Sequence, residues 1–466
     1  MPRYIVLFLF NGIAVEGATG ALALVQEGWL ARLLLRRAVG VGMAWEFGYA
    51  AGDALGFAHE VELYCISCGE RYPPHPRLTR CTRCGGLLDV RVAPREPPSW
   101  RVWEQRRPGV WRYWELLPAV SDAKPVTLGE GATPLVELER IGRMLGLRRL
   151  YAKNEGQNPT GSFKDRGMTV AVSLAKAIRA RALIVASTGN TAASVSAYAA
   201  RAGLRRIVVV PRRKTALGKL AQSVLYGADI VEIEGSFDAA LKAVMEAVEE
   251  DPRLYPLNSF NPWRLEGQKT LAYEVAEALG GEPPDWVVVP VGNAGNISAI
   301  WKGFRELYRY GLITRLPRMA GVQAKGAAPL ARAWQKGLDK PLFVDKPETR
   351  ATAIRIGHPV NWPKAMRAVK ESSGVFTIVG DDEITRAQAM LARLEGIAVE
   401  PASAASLAGL MRLVEDGVIA PDETVVIVLT GHGLKDPQAM LEAGARRYVA
   451  GSPEEAVKMV LGLAES

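Results

Sequence analysis

Cysteine and histidine are scarce in this sequence, with four of each among 466 residues. So few cysteines exclude a secreted fold held together by many disulfides. The motifs H-E-x-x-H and G-x-S-x-G are both absent, which excludes a zinc-protease helix and a hydrolase nucleophile turn. No run of like charges exceeds four residues, and a net charge of +9 is small for this length, so charge alone indicates no partner.

The composition that remains is that of an ordinary globular protein. Apolar residues make up 48% and charged residues 23% of the chain, which excludes disordered and collagen-like proteins. At about 100–200 residues per domain, the length predicts two to four domains.

Residues 1–60 carry little charge, and Glu16 is the only charged residue between positions 4 and 26. That span is long enough to cross a bilayer, but a central Glu and several polar residues oppose insertion. As a signal peptide, the segment has only a short apolar run at residues 5–10. Three interpretations stay open: a membrane or signal segment, an additional helical segment, and a stretch absent from the working protein, which then starts at Met43 or later. We favour the last and expect no membrane association.

All four cysteines lie in two C-x-x-C-G motifs that are separated by twelve residues. Each motif turns two thiolates to one side of the chain, and two such turns build a closed tetrahedral site that suits Zn²⁺. The predicted ligands of this structural site are Cys65, Cys68, Cys81 and Cys84. Residues 61–93 are therefore interpreted as a zinc-ribbon-like module that folds when the metal binds.

Unpaired thiols and a redox-active dithiol are the alternatives for these cysteines. Arginines in the module could contact a nucleic acid, but no aromatic platform accompanies them, and we expect no nucleic-acid partner. Residues 94–125 form a connector rich in Pro and Trp. We expect this connector to pack along the main domain, because so many Trp side chains are costly to expose.

From about residue 148, continuous apolar runs alternate with helical segments. The runs predicted as buried strands are 150–153, 182–186, 206–210, 229–232, 286–290, 375–379 and 425–429. The predicted helices are 162–180, 191–202, 237–250 and one from near 295 to 309. Continuous apolar runs are typical of parallel strands covered on both faces. The sequence therefore predicts an α/β fold of two doubly wound domains, with a ligand cleft between them and the chemistry in the turns that follow strands.

The first of these turns, residues 158–167, places Lys164 in the first turn of a helix. The positive end of the helix dipole disfavours an ammonium group there, so the pKa of this lysine is easily lowered. Lys164 is a candidate nucleophile for a Schiff base, and the alternative is an ordinary exposed lysine.

Two further turns combine hydrogen-bond donors with a helix N-terminus, which attracts anions. In residues 187–191, hydroxyls and backbone amides suit a carboxylate, and Asn190 could donate to a phenolic oxygen; the alternative is a plain helix cap. In residues 292–296, glycines let backbone amides surround a phosphate; the alternative is a flexible turn. The second turn lacks the G-K-[ST] ending of a nucleotide-binding loop.

A fourth turn, residues 429–436, offers the Thr430 hydroxyl next to glycines that leave room for a flat ring. Such a hydroxyl could bond to a ring nitrogen. A reactive lysine, a phosphate cup and a hydroxyl at a ring nitrogen together describe a protein that binds pyridoxal phosphate.

These motifs resemble, in the same order, those of the threonine synthase family. They read NPTGSFKDRG, ASTGNT, VPVGNAGN and LTGHGLKDP, and the upstream segment GEGATPL belongs to the same pattern. The resemblance implies a fold-type II pyridoxal-phosphate fold with a catalytic core over residues 126–445. Its smaller, mobile subdomain would span about 160–260, and we expect a C-terminal helix over 446–466.

The resemblance also implies a role for each matching position. Lys164 would hold the cofactor covalently and move protons, Phe163 would lie beside its ring, Asn190 would bond its 3′-oxygen and Thr430 its ring nitrogen. The residues implied for the cofactor phosphate are Gly292, Asn293, Ala294, Gly295 and Asn296. Those implied for the substrate carboxylate are Ser187, Thr188 and Thr191, and those for the substrate phosphate are Asn258, Ser259 and Arg264.

The implied reaction converts O-phospho-L-homoserine and water to L-threonine and phosphate by γ-elimination and β-hydration, in a cytoplasmic homodimer. Two alternatives share the fold: a cysteate synthase, which uses phosphoserine and sulfite, and a lyase like threonine dehydratase. The alternative from another class is a catalytically silent binding module, against which the intact Lys164 argues.

Overall fold

The computed structural model describes residues 5–9, 12–16, 22–25, 55–212, 217–442 and 448–464. Its strands, numbered in chain order, are β1 Ile5–Leu9, β2 Gly12–Glu16, β3 Leu22–Val25, β4 Glu60–Cys65, β5 Arg71–Tyr72, β6 Leu88–Ala93, β7 Leu135–Glu137, β8 Arg149–Asn154, β9 Ala182–Ala186, β10 Arg205–Pro211, β11 Asp229–Ile233, β12 Leu254–Pro256, β13 Trp286–Pro290, β14 Arg318–Ala324, β15 Val375–Val379 and β16 Thr424–Leu429.

Most connections after β6 contain a helix. The α-helices are α1 Trp100–Glu104, α2 Glu139–Leu145, α3 Lys164–Ala177, α4 Asn190–Ala202, α5 Leu217–Leu225, α6 Phe237–Glu250, α7 Trp263–Gln268, α8 Thr270–Ala278, α9 Gly295–Arg309, α10 Pro329–Gln335, α11 Trp362–Glu371, α12 Asp381–Glu395, α13 Pro401–Glu415, α14 Pro437–Glu442 and α15 Pro453–Ala464. In the described part of the chain, no helix is both long and apolar enough to span a bilayer.

The first strands form a three-stranded antiparallel sheet in the order β1-β2-β3. A helical segment was one interpretation of residues 1–60, and it is wrong for these stretches. Met43, the earliest start expected for the working protein, lies outside the described residues. The expected C-terminal helix over 446–466 corresponds to α15, which begins at Pro453.

Two sheets carry the main part of the chain. A four-stranded parallel sheet has the order β11-β10-β9-β12, and a six-stranded sheet has the order β15-β14-β13-β16-β8-β7 with only β7 antiparallel. Neighbouring residues of β13 belong to different apolar clusters: Val288 packs on one face of the sheet, and Val287 and Val289 pack on the other. Both faces of β13 are therefore covered, which confirms the α/β fold class. All seven predicted strands are present, but β11, at the edge of the four-stranded sheet, is largely exposed and not buried as predicted.

In the two main sheets the sequence analysis missed three strands, namely β7, β12 and β14, and it predicted none of β1–β6. The strand β14 lacks a continuous branched apolar run because its centre is Gly321. A Cβ atom at that glycine would lie 2.5 Å from the Phe376 ring, so packing requires a residue that weakens the strand pattern. The strand β12 has three residues, which is too short for a periodic signal.

The cysteine-rich module is a three-stranded antiparallel sheet in the order β5-β4-β6. The connector after it packs on the core, as expected. Trp103 is fully buried and stacks on Tyr273 at 5.9 Å between ring centroids. The indole nitrogen of Trp111 donates to the Thr169 hydroxyl at 2.7 Å, which ties the connector to α3.

A buried charge network joins α3, α8 and the end of β8. The Arg166 guanidinium donates to Glu155 at 2.6 Å and to Glu274 at 2.7 Å, and Lys153 donates to Glu274 at 2.7 Å. All four side chains are buried. Two cations meet two carboxylates, so the charge is balanced where an unpaired charge would be very costly.

Helices α3 and α7 cross at two glycines. A Cβ atom at Gly267 would lie 1.7 Å from the backbone oxygen of Arg166, and one at Gly167 would lie 2.7 Å from the backbone oxygen of Arg264. Only residues without a side chain allow backbones to approach this closely. The crossing places the N-terminal turns of the two helices, and hence Lys164 and Arg264, in one region.

We expect Gly267→Ala to lower the free energy of unfolding by about 3 kcal/mol, because the added methyl group forces the two backbones apart. Gly462→Ala is the matched control, since that helical glycine has nothing within 4 Å of its Cβ position. The control should gain about 0.5 kcal/mol from helix propensity. Urea unfolding measures both values, and equal stabilities for the two variants would contradict the crossing.

Candidate active site

The Lys164 turn and the Thr430 turn lie side by side. The backbone N–H of Phe163 donates to the backbone carbonyl oxygen of Thr430 at 3.1 Å, and the backbone N–H of His432 donates to that of Gly161 at 2.9 Å. Asp165 braces the same turn, because its carboxylate accepts from the Thr160 N–H and hydroxyl, both at 2.6 Å. Two of the four turns selected from the sequence are thereby joined through their backbones.

Lys164 begins α3, and its Nζ lies 3.6 Å from the centre of the Phe163 ring. Loss of hydration, followed by the positive charges of Arg264 and Lys435, lowers its pKa from 10.5 to about 7, although Glu400 acts in the opposite direction. A substantial fraction of this amine is therefore neutral near pH 7. A neutral amine is the form that attacks a carbonyl carbon.

Arg264 is a buried cation in α7, with 3% of its surface exposed. Its Nη1 donates to the Leu257 oxygen at 2.9 Å, and its Nε has no partner. Burial lowers its pKa to about 10. No carboxylate within the described ranges pairs with this guanidinium, so its surroundings suit an anionic ligand.

The predicted phosphate cup lies between β13 and α9. Ala294 has φ +64°, and α9 begins at the next residue, so backbone amides and the helix N-terminus face the same space. Asn296 is buried, yet neither of its side-chain polar atoms has a partner. Buried amide groups are nearly always bonded, so the cup fits an anionic group such as a cofactor phosphate.

Asn361 connects this cup to the Arg264 segment. Its backbone N–H donates to the Asn293 oxygen at 3.1 Å, and its Nδ2 donates to the Ser259 oxygen at 2.9 Å. The sequence analysis missed this residue, which has no motif of its own. It brings the predicted cofactor-phosphate and substrate-phosphate residues to adjacent positions.

The turn after β9 holds Ser187, Thr188 and Thr191 half-buried around the start of α4. Asn258 lies behind the same turn: its Nδ2 donates to the Ala186 oxygen at 2.9 Å, and its Oδ1 accepts from the Ala186 N–H at 3.1 Å. Most of the bonding capacity of this amide is therefore used to fix the end of β9. Its predicted contact with substrate stays a prediction.

Glu400 is a site residue that the sequence analysis missed. It is buried, and both of its carboxylate oxygens accept from Asn190 Nδ2 at 3.0 Å. Burial raises its pKa, opposed by that hydrogen bond and by Lys164. The available signal was a Glu directly before Pro401, the first residue of α13, because Pro at a helix start is a recognisable boundary.

Ser403 is a second missed residue, next to Thr430. The two hydroxyl oxygens lie 3.0 Å apart, and Ser403 Oγ accepts from the Gly431 N–H at 2.8 Å. The Thr430 hydroxyl is thereby oriented from behind by α13. The Phe163–Thr430 backbone bond and Glu400, which bonds to both Asn190 and the Gly431 backbone oxygen, bring Thr430, Asn190, Lys164 and Phe163 into one region. Their roles toward a cofactor ring stay predictions.

The four cysteines form a compact cluster. Their sulfur atoms all lie within 4.8 Å of one another, with three pairs at 3.5 to 3.6 Å. A tetrahedron of thiolates around zinc, with Zn–S near 2.3 Å, has sulfur separations of about 3.8 Å. A Cβ atom at Gly86 would lie 3.0 Å from Cys65 Sγ, so the closed shape of the cluster depends on this glycine. The cysteines therefore fit a tetrahedral metal ion.

Comparison with known proteins places this geometry in a family. Residues 126–431, about two thirds of the chain, match the family described as pyridoxal-phosphate dependent enzyme. The chain is 51% identical over 383 residues to threonine synthase of Methanocaldococcus jannaschii, covering 81% of this chain and 94% of that enzyme. It is 47% identical over 400 residues to threonine synthase of Methanosarcina acetivorans, covering 85% of this chain and 97% of that enzyme.

Solved structures share the fold. Maize serine racemase superposes with a TM-score of 0.57 at 21% identity, covering 72% of this chain and 94% of that chain. The chain therefore belongs to the pyridoxal-phosphate-dependent enzymes and, within them, to the threonine synthase family. The resemblance inferred from the motifs is confirmed.

We expect the rate of covalent cofactor attachment to the cofactor-free protein to rise with pH through about 7 and to level off above about 8, because only the neutral Lys164 amine reacts. The visible absorbance of the lysine-bound cofactor measures the rate. Arg264→Gln should move the midpoint to higher pH, because one positive charge near the amine is removed. A rate that keeps rising to pH 10 would contradict the low pKa.

Proposed function

We propose that this protein is a threonine synthase, a pyridoxal-phosphate-dependent lyase that converts O-phospho-L-homoserine and water to L-threonine and phosphate. The observation that carries the proposal is the unpaired, buried Arg264 beside Lys164, outside the phosphate cup of residues 292–296. A substrate with its own phosphate needs this second anion site. The relatives named threonine synthase, near 50% identity, support the same assignment.

The residues at the ring carry separate tasks in this proposal. Bound pyridoxal phosphate supplies an electron-withdrawing ring that stabilises negative charge on substrate carbons. Phe163 would pack beside the ring, and Thr430, backed by Ser403, would face its nitrogen. Asn190, whose Nδ2 donates to Glu400 in this structure, would donate to the 3′-oxygen. The residues that hold the cofactor phosphate are Gly292, Asn293, Ala294, Gly295 and Asn296.

Other residues orient the substrate. Its carboxylate binds at the start of α4, and its phosphate binds beside α7. The carboxylate ligands are Ser187, Thr188 and Thr191, and the phosphate ligands are Asn258, Ser259 and Arg264. Holding both ends of the substrate fixes Cα and Cβ against Lys164, which lowers the entropic part of the barrier.

Lys164 moves the protons in this proposal. With a pKa of about 7, its amine can accept a proton from Cα near neutral pH, and once it has given that proton up it can accept one from Cβ. The bond between Cγ and the phosphate oxygen breaks, and phosphate leaves with the bonding electrons. The water oxygen adds at Cβ. Of the proton taken from Cβ and the proton that water gives up, one goes to Cγ, which becomes the methyl group of threonine, and the other goes to the departing phosphate, while Cα regains its proton.

We also propose that Cys65, Cys68, Cys81 and Cys84 bind a structural Zn²⁺ ion, because their sulfur atoms already lie at nearly tetrahedral separations. Four free thiols in such a site need a reducing compartment, which supports a cytoplasmic location. A homodimer is proposed from the family resemblance.

We expect the purified, cofactor-loaded protein to release threonine and phosphate in equal amounts from O-phospho-L-homoserine. Amino-acid analysis and a phosphate assay measure the two products. Formation of cysteate from phosphoserine and sulfite, without threonine from phosphohomoserine, would overturn the assignment in favour of the related synthase.

We expect Arg264→Ala to raise the KM for O-phospho-L-homoserine about 100-fold, since a charge-assisted contact to phosphate in a buried site contributes about 1.5–3 kcal/mol. Cofactor binding, measured by visible absorbance, should change little. Arg264→Lys is the matched variant and should recover part of the lost affinity, because it keeps the charge without the planar fork. Equal losses of cofactor and substrate binding would remove Arg264 from the substrate site.

A further inference from the structure

The cysteine module contacts the segment that carries Arg264 from two directions. The first contact is aromatic. The Arg80 guanidinium of the module lies 5.6 Å from the centre of the Phe260 ring. Phe57, which lies outside the module, three residues before β4, stacks on Trp263 at 6.0 Å between centroids with ring planes 9° apart. Phe260 follows Ser259, and Trp263 precedes Arg264. Both contacts therefore fall directly beside predicted ligands of the substrate phosphate.

The second contact is ionic and runs through Lys302 of α9. Its Nζ donates to Asp89 at 3.0 Å and to Glu266 at 2.5 Å, and it also bonds to the Val90 oxygen. Asp89 belongs to β6 of the module, whereas Glu266 lies in α7, two residues after Arg264. One ammonium group therefore joins the module to the helix that carries the buried arginine.

Burial makes this bridge rigid. Glu266 and Lys269, which also pair with each other at 2.7 Å, are fully buried. Lys364 of α11 adds a bond to the Leu88 oxygen at 2.8 Å, next to Asp89. Burial alone would raise the pKa of Asp89, but Lys302 and Lys364 outweigh it and lower the pKa. The carboxylate is therefore charged, and moving β6 would leave buried charges unpaired.

The position of β6 depends in turn on the cysteine cluster. Cys65 is the last residue of β4 and lies opposite Leu88, the first residue of β6. Cys84 precedes β6 by four positions, so ligands flank both strands. The apolar side chains of this sheet, Leu63, Leu88 and Val90 among them, pack into the main core, and metal binding adds folding free energy to such small modules.

Arg264 has few contacts of its own that fix it. Among the described residues its guanidinium bonds to a single backbone oxygen, that of Leu257, so its position follows that of α7 and the preceding segment. We propose that the metal module is a positioning element for the second anion site: metal held by the four cysteines fixes Asp89 and Arg80, and these hold Arg264 in place to bind phosphate. The identity of the substrate rests on the proposed function, whereas the coupling concerns the anion site itself.

The test compares full-length holoenzymes whose cofactor phosphate site is filled. The variant Cys68→Ser/Cys84→Ser removes the two exposed ligands without opening a cavity, and Arg83→Ala, a non-ligand in the same turn, is its matched control. Zinc content, binding of inorganic phosphate by calorimetry and cofactor affinity by visible absorbance are measured for each. We expect the double variant to lose its zinc and to bind phosphate at least 10-fold more weakly, with cofactor affinity changed less than 3-fold.

A second variant keeps the metal and breaks only the bridge. Asp89→Asn removes one charge from a side chain of the same shape, and Lys302 keeps its bond to Glu266. We expect full zinc content, about 5-fold weaker phosphate binding and a matching rise in the KM for O-phospho-L-homoserine, with kcat nearly unchanged. This variant decides the question if the cysteine variant fails to fold.

Unchanged phosphate binding in a folded, zinc-free variant and in Asp89→Asn would overturn the proposal. An equal loss of cofactor and phosphate affinity would also overturn it, because it would indicate general destabilisation. If the wild-type protein makes no threonine, the proposed function fails, yet the phosphate measurements still test the coupling. If the wild-type protein makes threonine but the module variants bind phosphate as tightly as the wild type, only the proposed coupling fails.

Discussion

The close crossing of α3 and α7 is the constraint on which the site depends. Gly167 and Gly267 let the two backbones touch, and this contact brings Lys164 and Arg264 close enough to interact electrostatically. Their mutual repulsion, added to burial, lowers the pKa of the lysine. A cation held next to another cation in low dielectric is costly, so the fold must supply that energy through packing elsewhere.

Ion pairs on either side of the crossing of α3 and α7 help to stabilise the fold against this electrostatic repulsion. On one side, Arg166 and Lys153 meet Glu155 and Glu274. On the other side, three lysines meet three carboxylates, namely Lys269, Lys302 and Lys364 with Glu266, Glu306 and Asp89. In both networks each buried charge has a partner of opposite sign, whereas Arg264 has no carboxylate partner in the described part of the chain. The contrast between paired and unpaired buried charge separates the residues that stabilise the fold from Arg264, for which we propose an anionic ligand.

The aromatic and ionic contacts of the module give the cysteine cluster a role at the site. A structural metal site usually stabilises only its own small sheet, but here the last strand of that sheet is bonded through Lys302 to α7. The fold of the module and the position of Arg264 are therefore parts of one assembly. If the proposal holds, substrate affinity falls when the cysteine cluster loses its metal, and the two quantities can be measured on the same sample.

The sequence alone determined the α/β class, seven strands of the two main sheets, the cysteine cluster and the four turns, because each is a local pattern of apolar runs, spacing or glycine chemistry. Tertiary structure decided the rest. Glu400, Ser403 and Asn361 have no local signal and acquire meaning only through Asn190, Thr430 and Ser259, which are far away in the chain. The strand β14 was not predicted because it has a glycine, Gly321, at its centre, and that glycine is needed to make room for the Phe376 ring on β15. Which buried charges are paired is likewise a property of distance in space, and no spacing along the chain encodes it.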